Sequence, residues 1–340
     1  MRTYKVVGWD NGYDFEKIYL SKNKLRFPSV IYKPSSNDSI FNITSTNQYN
    51  IKKMILLYQG VEYFIGDYAI DQDPLGGDRN FEKDRFKKNT EIVKLLAAMS
   101  VINPDEKEIV IENLMLGLSL QVYKKHNKDL VDKFKDRSFQ YRIPSKNKSK
   151  SCVLHIKNVI CIPQGIGAYY DMILNYAGQP VDDGLINVRY GLIDVGGKTT
   201  DAFISQGVEP IRGTDVGLLY GTSDVFKEVS HRVDNIPVNL IERSHIQGKK
   251  SVFWDEEYMT ANLCAKSFEN LADKIYRKIH EVWTRHMDRV EMIILCGGGG
   301  KDIEKHLSKL FSIKVMTVDD PQFANSRGYF KLGQYVANRE

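Results

Sequence analysis

Short apolar runs bounded by Gly, Asn and Asp take turns along this chain with longer stretches in which apolar residues recur at helical spacing. The first pattern reads as strands, the second as amphipathic helices. The run YKVVG, residues 4–8, predicts a strand, and 13–20 a returning one. Asp10-Asn11-Gly12 lies between them, and Asn-Gly is the strongest short hairpin signal. The pattern next predicts a strand and helix from Tyr63, a helix from Lys88, a strand from Glu108 and a helix over 124–134. FQYRIPSKNKSKSCVLHIKNVICIPQ reads as a hairpin with a basic tip, its second strand ending at Pro163. A helix over 165–177, a break at Asp182-Asp183-Gly184, a buried strand at YGLIDVGG and two more hairpin strands follow. Helical patterns cover 218–229 and 259–287, and VEMIILCGGGGKDIEKHL reads as strand, glycine turn and helix. A strand from Ile313, a loop and a last helix end the order.

Such alternation is the signature of an α/β protein. It also repeats. A strand ending in Asp10-x-Gly12 opens the first half and one ending in Asp194-x-Gly196 opens the second, each followed by a hairpin strand and later by helices. Repetition at this scale predicts two related α/β domains facing each other. The length of 340 residues agrees with two domains.

Composition narrows the function classes. A net charge of +5 is too small to imply nucleic acid. Cys152, Cys161, Cys264 and Cys296 lie far apart with no C-x-x-C pair, which argues against a zinc site or disulfide framework and for reduced thiols in a cytoplasmic protein. No apolar run approaches a membrane span, and the first residues read as a strand rather than a signal peptide.

GLIDVGGKTTDAF, residues 191–203, invites a P-loop reading because Lys198-Thr199 follows two glycines. The P-loop spacing requires glycine where this chain has Leu192, so that reading fails. Asp194 is the better centre. It sits at the end of an apolar strand, and Gly196-Gly197 allow a tight turn whose amides face an anion, with Thr199 and Thr200 adding hydroxyls. Asp10-Asn11-Gly12 repeats the arrangement. Two such hairpins would hold a polyphosphate between them. Asp10 and Asp194 would hold Mg²⁺, mostly through its water shell. Lys17, returning along the first hairpin, would reach a phosphate as a point charge.

Five segments together resemble the actin-like ATPase superfamily. VVGWDNGY resembles its first phosphate loop, LIDVGGKTTDAFIS its second, VICIPQGIGAYYDMI its first connecting segment, MIILCGGGG its adenosine-binding turn and FANSRGYFKLG its second connecting segment. They stand in the family's order and span nearly the whole chain. The wording of the two connecting segments is similar to the bacterial plasmid-segregation actins of the ParM/StbA type.

That resemblance implies an actin-like fold: two α/β domains with ribonuclease H-like cores around a nucleotide cleft. Domain I would cover 1–164, with a C-terminal helix at 325–340 returning to it, and domain II 165–324. It implies a slow Mg²⁺-dependent nucleotide triphosphatase that polymerises and moves plasmid DNA. The partners would be other copies of itself and a DNA-binding adaptor at a plasmid centromere, without direct sequence-specific DNA contact or a membrane. ATP is the expected nucleotide, although a base pocket built of backbone also suits GTP. A monomeric kinase of the same fold is the alternative.

The expected catalytic residues are Asp10, Gln164 and Asp194, with Gln164 positioning water. Some ParM proteins carry glutamate at that place; glutamine orients water but is a poor base, which implies slow hydrolysis. The amides of Asn11, Gly12 and Tyr13, and of Gly196, Gly197, Lys198 and Thr199, would cradle phosphates. Gly297, Gly298, Gly299 and Gly300 would admit a base or ribose, with Gly213 and Gly217 beside the nucleotide. Asp201 reads equally as support for its hairpin or as a plain structural carboxylate. Gly165, Gly167 and Gly328 would pack closely at two hinges. Lys146, Lys148 and Lys150 read as a solvated loop tip, with contact to a neighbouring subunit or to DNA as the alternative.

Overall fold

The computed structural model describes residues 1–12, 14–21, 23–35, 49–72, 88–145 and 148–339, so Tyr13 and Lys146 lie outside the described residues. The chain divides into two compact units, one of Met1–Gln179 with Asn325–Glu340 and the other of Pro180–Ala324.

The first unit carries β1 (Arg2–Asn11), β2 (Phe15–Tyr19), β3 (Lys24–Pro28), β4 (Ile31–Tyr32), β5 (Met54–Tyr58), β6 (Val61–Ile65), β7 (Glu108–Leu118), β8 (Arg137–Ser145) and β9 (Lys148–Pro163). Among the described residues these form one nine-stranded sheet in the order β3-β2-β1-β7-β9-β8-β5-β6-β4. β1, β7 and β9 run parallel at its centre, and β2 folds back on β1. The central strands are near-continuous apolar runs because layers cover them on both faces. A short α1 (Asp67–Gln72) follows β6, and on one face of the sheet lie α2 (Thr90–Ile102) and α3 (Leu120–Phe134), whose Leu96 and Phe134 join Val7, Trp9 and Leu116 in a single core. Elsewhere α9 (Ala324–Ala337) contributes Tyr329 and Phe330 to a second cluster with Val6 and Met115.

α4 (Ile166–Ile173) crosses α9 at backbone distance. A Cβ on Gly328 would stand 1.7 Å from the Gly167 carbonyl oxygen, so only glycine fits. Asp171 then accepts from Arg327 through both oxygens and from Lys331 at 2.9 Å, all of them buried. Residues 165–179 thus fall in the first unit, where the family resemblance implied that the second begins at 165. The same helix stops short of the expected 177. Leu174 is extended, and the Asn175 side chain instead accepts from the Ala177 and Gln179 amides, a local turn that competes with helix.

The second unit repeats the scheme. β10 (Arg189–Val195), β11 (Thr200–Gln206), β12 (Glu209–Pro210), β16 (Met292–Cys296) and β17 (Lys314–Thr317) form a sheet in the order β12-β11-β10-β16-β17, with β13 (Val216–Leu218) also on β11. The series β11-β10-β16-β17 matches β2-β1-β7-β9: a returning hairpin strand, then three parallel strands. α5 (Thr222–Arg232), α7 (Ala261–Trp283) and α8 (Gly300–Leu310) cover this sheet through Phe226, Phe268, Ile275 and Ile303. α5 starts later than expected because Leu218 belongs to β13, and Gly221 meets Asp224 in a reciprocal cap. The sequence pattern did not mark α6 (Val238–Ile246) or the hairpin of β14 (Ser251–Phe253) and β15 (Glu257–Met259). That hairpin leaves Phe253, Trp254 and Met259 exposed at 76%, 55% and 61%. Among the described residues no helix is long and apolar enough to cross a membrane.

α6 and α8 are tied by His245, whose Nε2 lies 2.9 Å from Asp302 Oδ1 while its ring packs against Phe226 and Phe268. The Asp302 hydrogen bond, and after it Cys264, push this imidazole up to about 9. A histidine raised in the fold lends stability that is complete below the ordinary value of about 6.5 and is lost as pH rises through the folded value. The thermal midpoint is therefore expected to fall between about pH 6.5 and 9, and His245→Gln to remove that component in scans across the same range.

Candidate functional site

The carboxyl ends of parallel strands are where α/β sheets place ligands, and each unit gathers its polar residues there. In the first unit the ends of β1, β7 and β9 bring Asp10 and Gln164 together. The Gln164 amide donates to the Leu118 carbonyl at 2.6 Å, which aims its side chain, and its Nε2 donates to Asp10 Oδ1 at 2.7 Å. Asp10 pairs across the hairpin with Lys17, whose Nζ reaches Oδ2 at 2.9 Å. The carboxylate, almost wholly buried at 3% exposure, is thus held at both oxygens. Lys17 therefore spends its charge on Asp10 in this structure, where the sequence reading had it reach toward phosphate.

Strand alternation sends the neighbouring pair the other way. Asn11 lies opposite Glu16, and these side chains face α2, where the Asn11 amide donates to Glu91. A Cβ on Gly12 would approach the Phe15 carbonyl oxygen to 2.5 Å, so the turn is tight as its glycine predicts.

The second unit builds the matching turn. Asp194 pairs across β10 and β11 with Asp201, as Asp10 does with Lys17. Burial, and after it the Asp194 charge, push Asp201 up to about 7. Two acids share the place where the first hairpin has an acid and a base. The Gly196 amide donates to the Thr199 carbonyl at 2.9 Å, so it closes the turn and does not face an anion as expected. The Gly196 and Gly197 carbonyls accept from Thr222 and Ser223 at 3.0 and 2.7 Å, docking the turn on the first amides of α5. Gly221 allows this approach, since a Cβ there would lie 2.3 Å from the Gly196 oxygen. Gly221-Thr222-Ser223 escaped the sequence reading. Its signal was present as a capping triplet ahead of a helix.

The glycine turn packs against the same strand end. Gly297 has φ +80°, and a Cβ would stand 2.4 Å from both Asp194 Oδ1 and the Val195 oxygen. Gly299 is pressed against Val195 and Thr222, and Gly300 begins α8. Gly298 alone of the four faces open space, with Gln322 Nε2 the nearest atom at 3.8 Å. The close approach that glycine permits at Gly297 and Gly299 is therefore to protein. Gly217 pairs with Asp201 on β13, whereas Gly213 is a turn at φ +79° with nothing near it.

Among the described residues no group of three or more His, Cys, Asp or Glu side chains is placed to hold a metal. The donor chemistry nonetheless fits Mg²⁺, which takes carboxylate oxygens and keeps much of its water. The acid pair Asp194 and Asp201 is a place where a cation would relieve repulsion.

Two family models match the chain: the N-terminal domain of actin-like proteins over residues 8–167, and the C-terminal part of the archaeal MreB-like actin homologue over 192–309. No curated protein sequence matches it. Among solved structures, the actin-like protein Alp7A superposes with a TM-score of 0.84 at 14% identity, covering 99% of this chain and 97% of that one. An archaeal actin homologue in complex with ADP gives 0.74 at 20%, covering 98% and 99%. A ParM from a 15-stranded Clostridium botulinum filament gives 0.70 at 22%, again covering 98% and 99%. At these identities the likeness is one of fold, and the fold is the actin-like one.

Gly297→Ala is expected to cost about 2 kcal/mol or more in urea unfolding, because it adds a left-handed alanine to a backbone clash. Gly298→Ala is expected to leave the midpoint nearly unchanged.

Proposed function

The chain belongs to the actin-like proteins, and from that premise we propose that it binds ATP with Mg²⁺, hydrolyses it slowly and polymerises into dynamic filaments that move plasmid DNA. The observation that carries this reading is the repeated aspartate hairpin, with Gln164 set on Asp10 at 2.7 Å in the first copy.

Phosphoryl transfer asks the protein for position and charge rather than covalent help. Gln164 holds and orients the attacking water beside Asp10, and a glutamine amide abstracts no proton, which accords with a slow rate. Asp10 and Asp194 would hold Mg²⁺, and the ion would supply charge neutralisation. Asn11 and Gly12 in the first turn, with Gly197, Lys198 and Thr199 in the second, would take the phosphates. Lys17 exchanges its Asp10 contact for phosphate when the nucleotide enters. Gly298 and Gly217 lie on the nucleoside side. A base pocket made mainly of backbone accepts ATP and also suits GTP.

Relatives of the same fold are known as filaments, among them the C. botulinum ParM and Alp12. The exposed Phe253, Trp254 and Met259 give self-association an apolar surface to bury. A net charge of +5 and no DNA-reading motif favour a DNA-binding adaptor between filament and plasmid over direct contact.

Sedimentation across a wide protein concentration range tests the reading. Pelleting is expected with Mg-ATP and not without nucleotide. Asp194→Ala is expected to slow phosphate release by about a hundredfold. Replacing Phe253 and Trp254 by Ser is expected to raise the concentration needed for assembly while leaving nucleotide affinity unchanged. A chain that stays monomeric and transfers phosphate to a sugar or an acid would instead be a kinase of the same fold.

A further inference from the structure

The reverse face of the first hairpin carries a buried polar assembly that the reaction as described does not use. Glu16 on β2, Glu91 and Lys94 on α2, and Ser29 just after β3 are all at most 2% exposed. Lys94 Nζ reaches Ser29 Oγ at 2.8 Å, Glu16 Oε1 at 3.0 Å and Glu91 Oε1 at 3.1 Å, one partner for each ammonium hydrogen. Glu16 also accepts from Trp9 Nε1 at 2.8 Å and from Ser29 Oγ at 2.7 Å. Glu91 accepts from the Asn11 amide through its other oxygen. Lys133 of α3 lies close enough to feel the Glu91 charge.

Buried charges of this kind are poor sources of stability, since desolvation offsets much of their attraction. Well-packed apolar residues of similar volume often serve as well or better in such places. What the polar set supplies instead is direction. It ends on Asn11, in the phosphate turn, and the Ser29 amide donates to the Asp14 carbonyl at 2.8 Å on the turn's far side. The turn is therefore gripped on both flanks by groups that α2 and β3 hold in place. Cross-strand register explains why only this face can do so: Asn11 and Glu16 are partners, while Asp10 and Lys17 point to the opposite face.

We propose that Glu91 is a positioning residue for the first phosphate turn, acting through the Asn11 amide, with Lys94, Glu16 and Ser29 completing the anchor. This assignment rests on the nucleotide reading above. It makes the Asn11 side chain a fixed strut and leaves phosphate contact to the backbone of the turn. A carboxylate suits position 91 because its two oxygens serve Asn11 and Lys94 separately. Glutamine there has one acceptor oxygen and satisfies only one of them.

A double-mutant cycle on the full chain tests it, with Mg-ADP binding read by calorimetry and urea unfolding measured alongside. Glu91→Gln and Asn11→Ala are each expected to weaken Mg-ADP binding about tenfold, and the double variant no more than the weaker single one, because one acts through the other. Glu91→Gln should also slow Mg-ATP hydrolysis at saturation less than it raises KM, since the anchor acts on binding geometry. Additive losses, or a Glu91→Gln chain that is less stable yet binds Mg-ADP as the parent does, would overturn the positioning role and make the assembly purely structural. A parent chain that itself fails to bind Mg-ADP would overturn the nucleotide reading first, a result separable from either of these.

Discussion

The alternation of side chains along β1 divides one tight turn between two tasks. Asp10 and its partner Lys17 point to one face, where Gln164 closes on the same carboxylate. Asn11 and its partner Glu16 point to the other, into a dry network with α2. A slip of a single residue in this register would exchange the faces, burying the Asp10 carboxylate among core side chains and exposing the network. The apolar weight of Trp9, Val7 and Ile18 holds the register, since all three are fully buried.

The second unit meets the same geometric demand with different chemistry. Its hairpin sets Asp194 opposite Asp201 where the first sets Asp10 opposite Lys17. One turn thus carries an internally neutralised carboxylate, the other a pair of acids in which burial and repulsion favour a proton on Asp201. Support differs as well. The first turn is held by side chains from α2 and the segment after β3, the second by the amides at the start of α5. Sheet order is shared between the units, while the means of fixing the turn is local to each.

Backbone-to-backbone packing sets the limits of the first unit. Gly167 and Gly328 let α4 and α9 touch without side chains between them, and Asp171 with Arg327 and Lys331 fastens the crossing. The last helix is therefore part of the first unit's core although more than a hundred residues of the second unit precede it in the chain.

Much of this was legible in the order of residues. Apolar runs ending in Asp10-x-Gly12 and Asp194-x-Gly196 determined two repeated strand–hairpin units, because a buried strand needs continuous apolar residues and a tight turn needs glycine, and both demands are local. The strands ending at Pro163 and Cys296 were readable for the same reason. Other features depended on residues distant in sequence. Nothing near Gln164 indicates that it closes on Asp10, or near Asn11 that Glu91 holds it, since parallel strands and a packed helix bring those pairs together. Gly297 read as room for a ligand and proved to be room for Val195 and Asp194. α6 and the β14–β15 hairpin were too short and too weakly patterned to declare themselves. The sequence by itself determined the α/β class, the duplication and the carboxylates at the strand ends. Only the tertiary structure decided which groups share each carboxylate, because hydrogen bonding between distant segments is set by packing and not by local spacing.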